Sequence, residues 1–207
     1  MVHDRTVTGS AAFTAAGNWD GGFYELALEL GPGGDARLGR ALTALGKAAA
    51  VPNWYGSRDR EPHEQVPVGC TLDSLRRYRH LRGIATLPAG TPVVCGLVAI
   101  REESGIDWLA FHLPLGALGS ADPRVGGFPF EDDGTFTHLA WRQPIDNWLA
   151  DIGRQVFADV GYSLGLIGLE ASGEAYATDV TDGPPGHRGV GYLIPTDDEI
   201  RYWPATR

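Results

Sequence analysis

Lysine is nearly missing from this chain: Lys47 is the single one among 17 basic residues, so almost every positive charge is an arginine. Arginine suits bidentate contacts to carboxylate or phosphate. An excess of Ala, Gly, Arg and Asp is also what a GC-rich bacterial coding sequence produces, and the compositional reading is preferred. Cysteine is scarce. Cys70 and Cys95 are too few and too far apart for a disulfide framework, a CxxC redox motif or a zinc knuckle, and two reduced thiols fit a reducing compartment.

Long apolar runs are missing too, so no membrane span is expected. Residues 1–17 lack the charged segment and apolar stretch of a secretory signal. The expected protein is soluble and cytoplasmic, with no membrane partner. Net positive charge is absent as well: 17 basic residues against 26 acidic ones give −9, which repels nucleic acid and anionic surfaces. No internal repeat stands out, and no motif calls for a metal or cofactor; none is expected.

What is present is an ordinary globular composition, 43% hydrophobic and 21% charged over 207 residues, enough to bury one sizeable core. A single α+β domain spanning 1–207 is expected. Phe23–Leu30 alternates Phe23, Glu25, Ala27 and Glu29 with Tyr24, Leu26, Leu28 and Leu30, the pattern of a half-buried strand. After the Gly31–Gly34 stop, Asp35 reads as an N-cap, and Leu38, Ala41, Leu42 and Leu45 recur at helical spacing. Residues 52–70 read as a long loop. Thr71 is placed to cap a short helix running to Leu81.

Residues 91–103 and 106–113 read as a hairpin about the Ser104–Gly105 turn. A second irregular stretch, 114–143, precedes a helix with Pro144 at its first position and Ile145, Trp148, Leu149, Ile152 and Val156 on one stripe. Strands follow at 162–170 and 190–194. The expected architecture is an antiparallel or mixed sheet with helices on one face. Its order, βαββαβ, is that of ferredoxin-like folds, with a long insertion.

Several clusters carry chemistry, each with a plainer reading beside it. Gly161-Tyr162-Ser163-Leu164-Gly165 fits G-x-S-x-G and resembles the nucleophile elbow of α/β-hydrolases, with Asp182 (or Asp179) and His187 following in that family's order. The resemblance implies Ser163 as nucleophile, His187 as base and Asp182 as its orienting acid. Against it, an elbow runs from strand to helix, whereas the periodicity here runs from helix to strand. The Gly31–Asp35 turn lacks a phosphate-loop spacing, and its carboxylate would oppose a phosphate.

Arg76, Arg79 and His80 would share a helix face and form a basic patch; the plainer reading is a solvated face. The loop residues Trp54, Tyr55, Arg58 and His63 combine large aromatics with charge, as binding hot spots do, unless the aromatics fold back onto the core. Glu131, Asp132, Asp133 and His138 match no metal-loop spacing. His112, on the strand face of Trp108 and Ala110, reads as a satisfied core or edge histidine.

These features rank three functions. The first is non-catalytic binding of another protein, neutralising or regulating it, through Trp54, Tyr55, Arg58, His63, Arg76 and Arg79. The second is a serine hydrolase built on Ser163. The third is a small-molecule-binding domain that works as a homo-oligomer.

Overall fold

The computed structural model describes residues 9–125, 139–196 and 199–207. Two 3-10 turns, Gly9–Ala11 and Ala16–Trp19, lead into strand β1 (Phe23–Gly31) and helix α1 (Gly34–Ala48). A short strand β2 (Trp54–Tyr55), a 3-10 turn (Pro62–Glu64) and helix α2 (Leu72–Tyr78) come next, then strands β3 (Leu81–Thr86), β4 (Pro92–Arg101) and β5 (Asp107–Pro114). Helix α3 (Leu115–Ala121), the long helix α4 (Leu139–Val160), strand β6 (Leu164–Leu169), a 3-10 turn (Ala177–Val180) and strands β7 (Gly191–Pro195) and β8 (Ile200–Trp203) complete the described chain. The eight strands form one sheet in the order β2-β3-β4-β5-β1-β6-β7-β8, every neighbouring pair antiparallel. The protein is therefore mixed α+β. Among the described residues no helix is long and apolar enough to cross a membrane.

The first strand of the described chain, β1, takes the middle of the sheet. Leu26 lies opposite Phe111 on one side and Ile167 on the other, and because side chains alternate along a strand, Tyr24, Leu26, Leu28 and Leu30 face the same layer. There they join Leu38, Leu42 and Leu45 of α1 and Leu149, Ile152 and Val156 of α4 in the main core. The α1 stripe and the α4 stripe are those expected from helical spacing.

The other face of β1 departs from expectation. Glu25 and Glu29, read as the wet side of a half-buried strand, are each only 6% exposed. Residues 171–190 fold over them, and a second apolar cluster forms there from Ala27, Trp108, Leu164, Leu166, Val180, Val190 and Tyr192. The two carboxylates survive burial because each receives backbone hydrogens from that covering segment. Ser172 N and Oγ donate to Glu25 at 2.7 and 2.8 Å, and Ala177 N donates to Glu29 at 2.8 Å.

Other local expectations need correction. The N-cap of α1 is Gly33, and Asp35 sits in the first turn, paired with Arg76 and, at 3.2 Å, with Arg101. Helix α2 begins as expected, with Thr71 Oγ1 accepting from Ser74 N, but it stops at Tyr78. Arg79 there takes a left-handed conformation (φ 64°), which turns the chain into β3. Pro144 is interior to α4 rather than at its start, so its missing N–H leaves the Ala140 carbonyl without the usual helical donor. The irregular regions hold β2 within 52–70 and α3 within 114–143, while residues 126–138, including Glu131, Asp132, Asp133 and His138, lie outside the described residues.

Candidate functional site

The register of the sheet brings a polar row onto the face opposite α1 and α4. Arg82 lies opposite Gly96, Gly96 opposite His112, His112 opposite Glu25, and Glu25 opposite Gly168. His80, two residues before Arg82, shares its side. Gly96 leaves a gap in the row, and His80 and His112 meet over it with their Nε2 atoms 2.9 Å apart. A β-carbon at position 96 would fall 2.3 Å from both Nε2 atoms, so this contact requires glycine. One ring donates and the other accepts, which needs the accepting imidazole neutral. Burial disfavours the charged form of both: it drives His112 well below the ordinary histidine range and His80 down to about 3, and the nearby Arg82 charge adds to both shifts. Phe23 closes the other side of His112, ring centroids 4.4 Å apart.

Arg82 is held at the edge of this row. Its Nη1 donates to the carbonyls of Gly56 and His80 at 3.1 and 3.0 Å, and its guanidinium lies 6.0 Å from the Trp19 ring centre. Its Nε is buried and has no hydrogen-bond partner among the described residues. Burial lowers the Arg82 pKa, and the Arg58 charge lowers it further, while Asp59 works in the opposite sense. Two arginines thus raise the positive potential of one region in an acidic protein.

Beside Arg82 lies a cavity of about 360 Å³, lined by Phe13, Thr14, Ala16, Trp19, Asp20, Arg58 and Asp59. It is built from two segments distant in sequence and clamped by one carboxylate: Glu61 accepts from Phe13 N (3.1 Å), Thr14 N (2.9 Å) and Thr14 Oγ1 (2.6 Å). Burial would raise the Glu61 carboxyl, but these hydrogen bonds outweigh it and hold the group below the usual range. Trp19 packs edge-on to Phe13 at 5.9 Å and spends its indole N–H on the Phe13 carbonyl at 2.7 Å. The aromatic wall is therefore apolar toward the cavity. Arg58 has no hydrogen bond or ion pair among the described residues.

The other expected site residues are distributed differently. Trp54 and Tyr55 are buried, 5% and 7% exposed; Trp54 contacts Phe111 and Tyr55 contacts Phe13 edge-on. They have folded back onto the core and form strand β2, because the loop offers an apolar pair flanked by a bridge to Val68. Arg58 and His63 remain exposed on this loop. Arg76 is occupied by Asp35 and Asp73, and because α2 ends before Arg79, Arg76, Arg79 and His80 do not share a helical face.

Ser163 sits in the connection from α4 to β6, after Gly161 (φ 65°), and its N–H donates to the Glu29 carbonyl at 2.8 Å. The order helix, serine, strand is the reverse of a nucleophile elbow. Asp182 and His187 are exposed on the covering segment, and among the described residues no hydrogen bond joins either to Ser163.

The His80–His112 contact and the cavity walls Phe13, Trp19 and Asp20 were not singled out as a site from the sequence, while Arg82 belongs to the basic cluster around Arg76, Arg79 and His80. Among the described residues no group of three or more His, Cys, Asp or Glu side chains is placed to hold a metal. Comparison with protein-family models, curated proteins and solved structures gave no significant match, so the site is read from its own geometry.

Proposed function

We propose that this chain is a non-catalytic binding domain whose ligand is a small molecule carrying an anionic group, seated in the cavity between the 13–20 segment and the 56–61 loop. The observation that carries the reading is Arg58: a guanidinium with no hydrogen bond or ion pair among the described residues, on the wall of a cavity with aromatic sides and a second arginine behind it. An anion there would relieve the repulsion between Arg58 and Arg82 and accept charge-assisted hydrogen bonds, each worth about 1.5–3 kcal/mol. The fold that presents the cavity is, on this reading, a ferredoxin-like βαββαβ unit of β1, α1, β4, β5, α4 and β6. Its helices α1 and α4 cover one face, and β2–β3 and β7–β8 lengthen its edges. Two free cysteines, Cys70 and Cys95, fit a cytoplasmic setting.

The test is calorimetric titration with a panel of carboxylates and phosphates, inorganic phosphate included, against the wild type and Arg58→Ala. Binding weakened about ten- to hundred-fold in the variant, with an unchanged circular dichroism spectrum, supports the proposal. Equal binding by both proteins rejects it.

A second reading has an observation of its own. Val66 is 82% exposed on the same loop as Arg58 and His63, a combination of apolar and cationic side chains that suits a protein partner to be neutralised or regulated. A partner whose affinity falls with Val66→Ser, while small anions leave it undisturbed, would favour that reading.

A further inference from the structure

We infer that the ligand of this cavity is a zwitterion, an α-amino acid with an apolar side chain, recognised at its amine by Asp20 and at its carboxylate by Arg58. The inference rests on the binding reading above and adds the second charge. Asp20 and Arg58 both line the cavity, both are exposed, and among the described residues neither side chain makes a hydrogen bond or an ion pair. Two opposite charges on one cavity lining that are not paired with each other match a guest that carries both signs.

Asp20 is fixed in place by its backbone, since its carbonyl accepts from Gly116 N at 2.9 Å. The lining holds a second carboxylate, Asp59, which accepts from Ser57 Oγ at 3.4 Å and whose charge acts on Arg82. Asp20 is the lining carboxylate with no side-chain hydrogen bond among the described residues. The remaining walls are apolar. Trp19 has used its only donor on Phe13 O, and with Ala16 and the Phe13 ring it presents carbon to whatever enters. A volume of about 360 Å³ admits an amino acid with a side chain as large as a phenyl group.

The experiment is calorimetric titration of the full chain with L-phenylalanine, 3-phenylpropionate and 2-phenylethylamine, which share a body and differ only in charge. Wild type, Asp20→Asn and Arg58→Ala are compared, with thermal midpoints measured to show that each variant folds. Phenylalanine is expected to bind at least ten-fold more tightly than either singly charged analogue. In Asp20→Asn its affinity should fall to that of 3-phenylpropionate, whose own binding should not weaken. If 3-phenylpropionate matches phenylalanine in the wild type, or Asp20→Asn leaves phenylalanine binding intact, the zwitterion is overturned while the anion reading stands. If none of the three compounds binds, the zwitterion is likewise overturned, and the anion reading is decided by its own panel of carboxylates and phosphates.

Discussion

Gly96→Ala is the substitution that most directly interrogates the polar row. The backbone at 96 is ordinary strand, so alanine is sterically allowed there and would even gain about 0.5–1 kcal/mol of chain entropy over glycine. Its methyl group, however, would lie 2.3 Å from both His80 Nε2 and His112 Nε2. His112 has no free space, being fully buried against Phe23, and His80 is only partly exposed, with Arg82 bonded to its carbonyl.

Overpacking of this kind costs about 1–3 kcal/mol, and parting the imidazoles leaves a buried N–H or lone pair unmatched, another 1–3 kcal/mol or so. Net destabilisation of about 2–4 kcal/mol is expected. With a urea m-value of roughly 2 kcal/mol/M, the midpoint should fall by about 1–2 M. The decisive comparison repeats the substitution in a His80→Ala background, where one of the two obstructing rings is gone. The cost should drop by at least about 1 kcal/mol, a coupling expected only for residues in contact. Equal costs in both backgrounds, within roughly 0.5 kcal/mol, would refute the argument that position 96 is glycine because two histidines meet above it.

Three further outcomes follow from buried polar groups. Both imidazoles are neutral in the fold, but an unfolded chain protonates near 6.5. Each therefore adds nothing to the pH dependence above that value and subtracts up to about 1.4 kcal/mol per pH unit as pH falls below it. Glu25, Glu29 and Asp146, all raised by burial (Asp146 to about 6), act in the opposite sense. The histidine contribution is thus read by NMR, where the His80 ring should remain neutral at pH 5; a midpoint near 6.5 would contradict its burial.

Tyr24 O–H donates to Asp146 and accepts from Arg142 Nε at 2.8 Å inside the core. Tyr24→Phe should accordingly cost about 1–3 kcal/mol in chemical denaturation; a loss under 0.5 kcal/mol would show the network to be solvated. Glu25→Gln removes a charged acceptor from Ser172, and amide hydrogen exchange at Ser172 should accelerate about ten-fold or more, while amides of α1 stay protected. Uniform acceleration across both would mean that the covering segment does not open independently.

Strands β1, β4, β5, β6 and β7 and helices α1 and α4 were legible because their apolar residues keep one period over a full element. Strand β3 was not. Arg79 leaves the helix with a positive φ that nothing in its residue type announces, so Leu81 reads as the last helical position rather than the first of a strand. The site was less legible still. Glu25 and Glu29 obey the alternation of a solvent-facing side, and only the return of residues 171–190 over them makes that side interior. His80 and His112 become neighbours through two strand registers that converge on Gly96, a relation that composition and spacing do not contain. Trp54 and Tyr55 had the composition of a hot spot, but large aromatics serve a core as readily as an interface, and the bridge to Val68 decides between them.

The position of β1 has a consequence for how this chain is made. It precedes both its partners in the chain, yet it lies in the middle of the sheet, and they arrive late: Ala27 pairs with Ala110 and with Leu166. At a translation rate of roughly 5–20 residues per second, β1 waits for its second neighbour for on the order of ten seconds or more. Until α4 follows, the Leu26–Leu28–Leu30 face has only α1 of the two covering helices, and the carboxylates of Glu25 and Glu29 on the reverse side still face water until residues 171–190 are made. Those two charges, buried in the finished protein, are in the nascent chain what keeps a naked central strand from pairing with another.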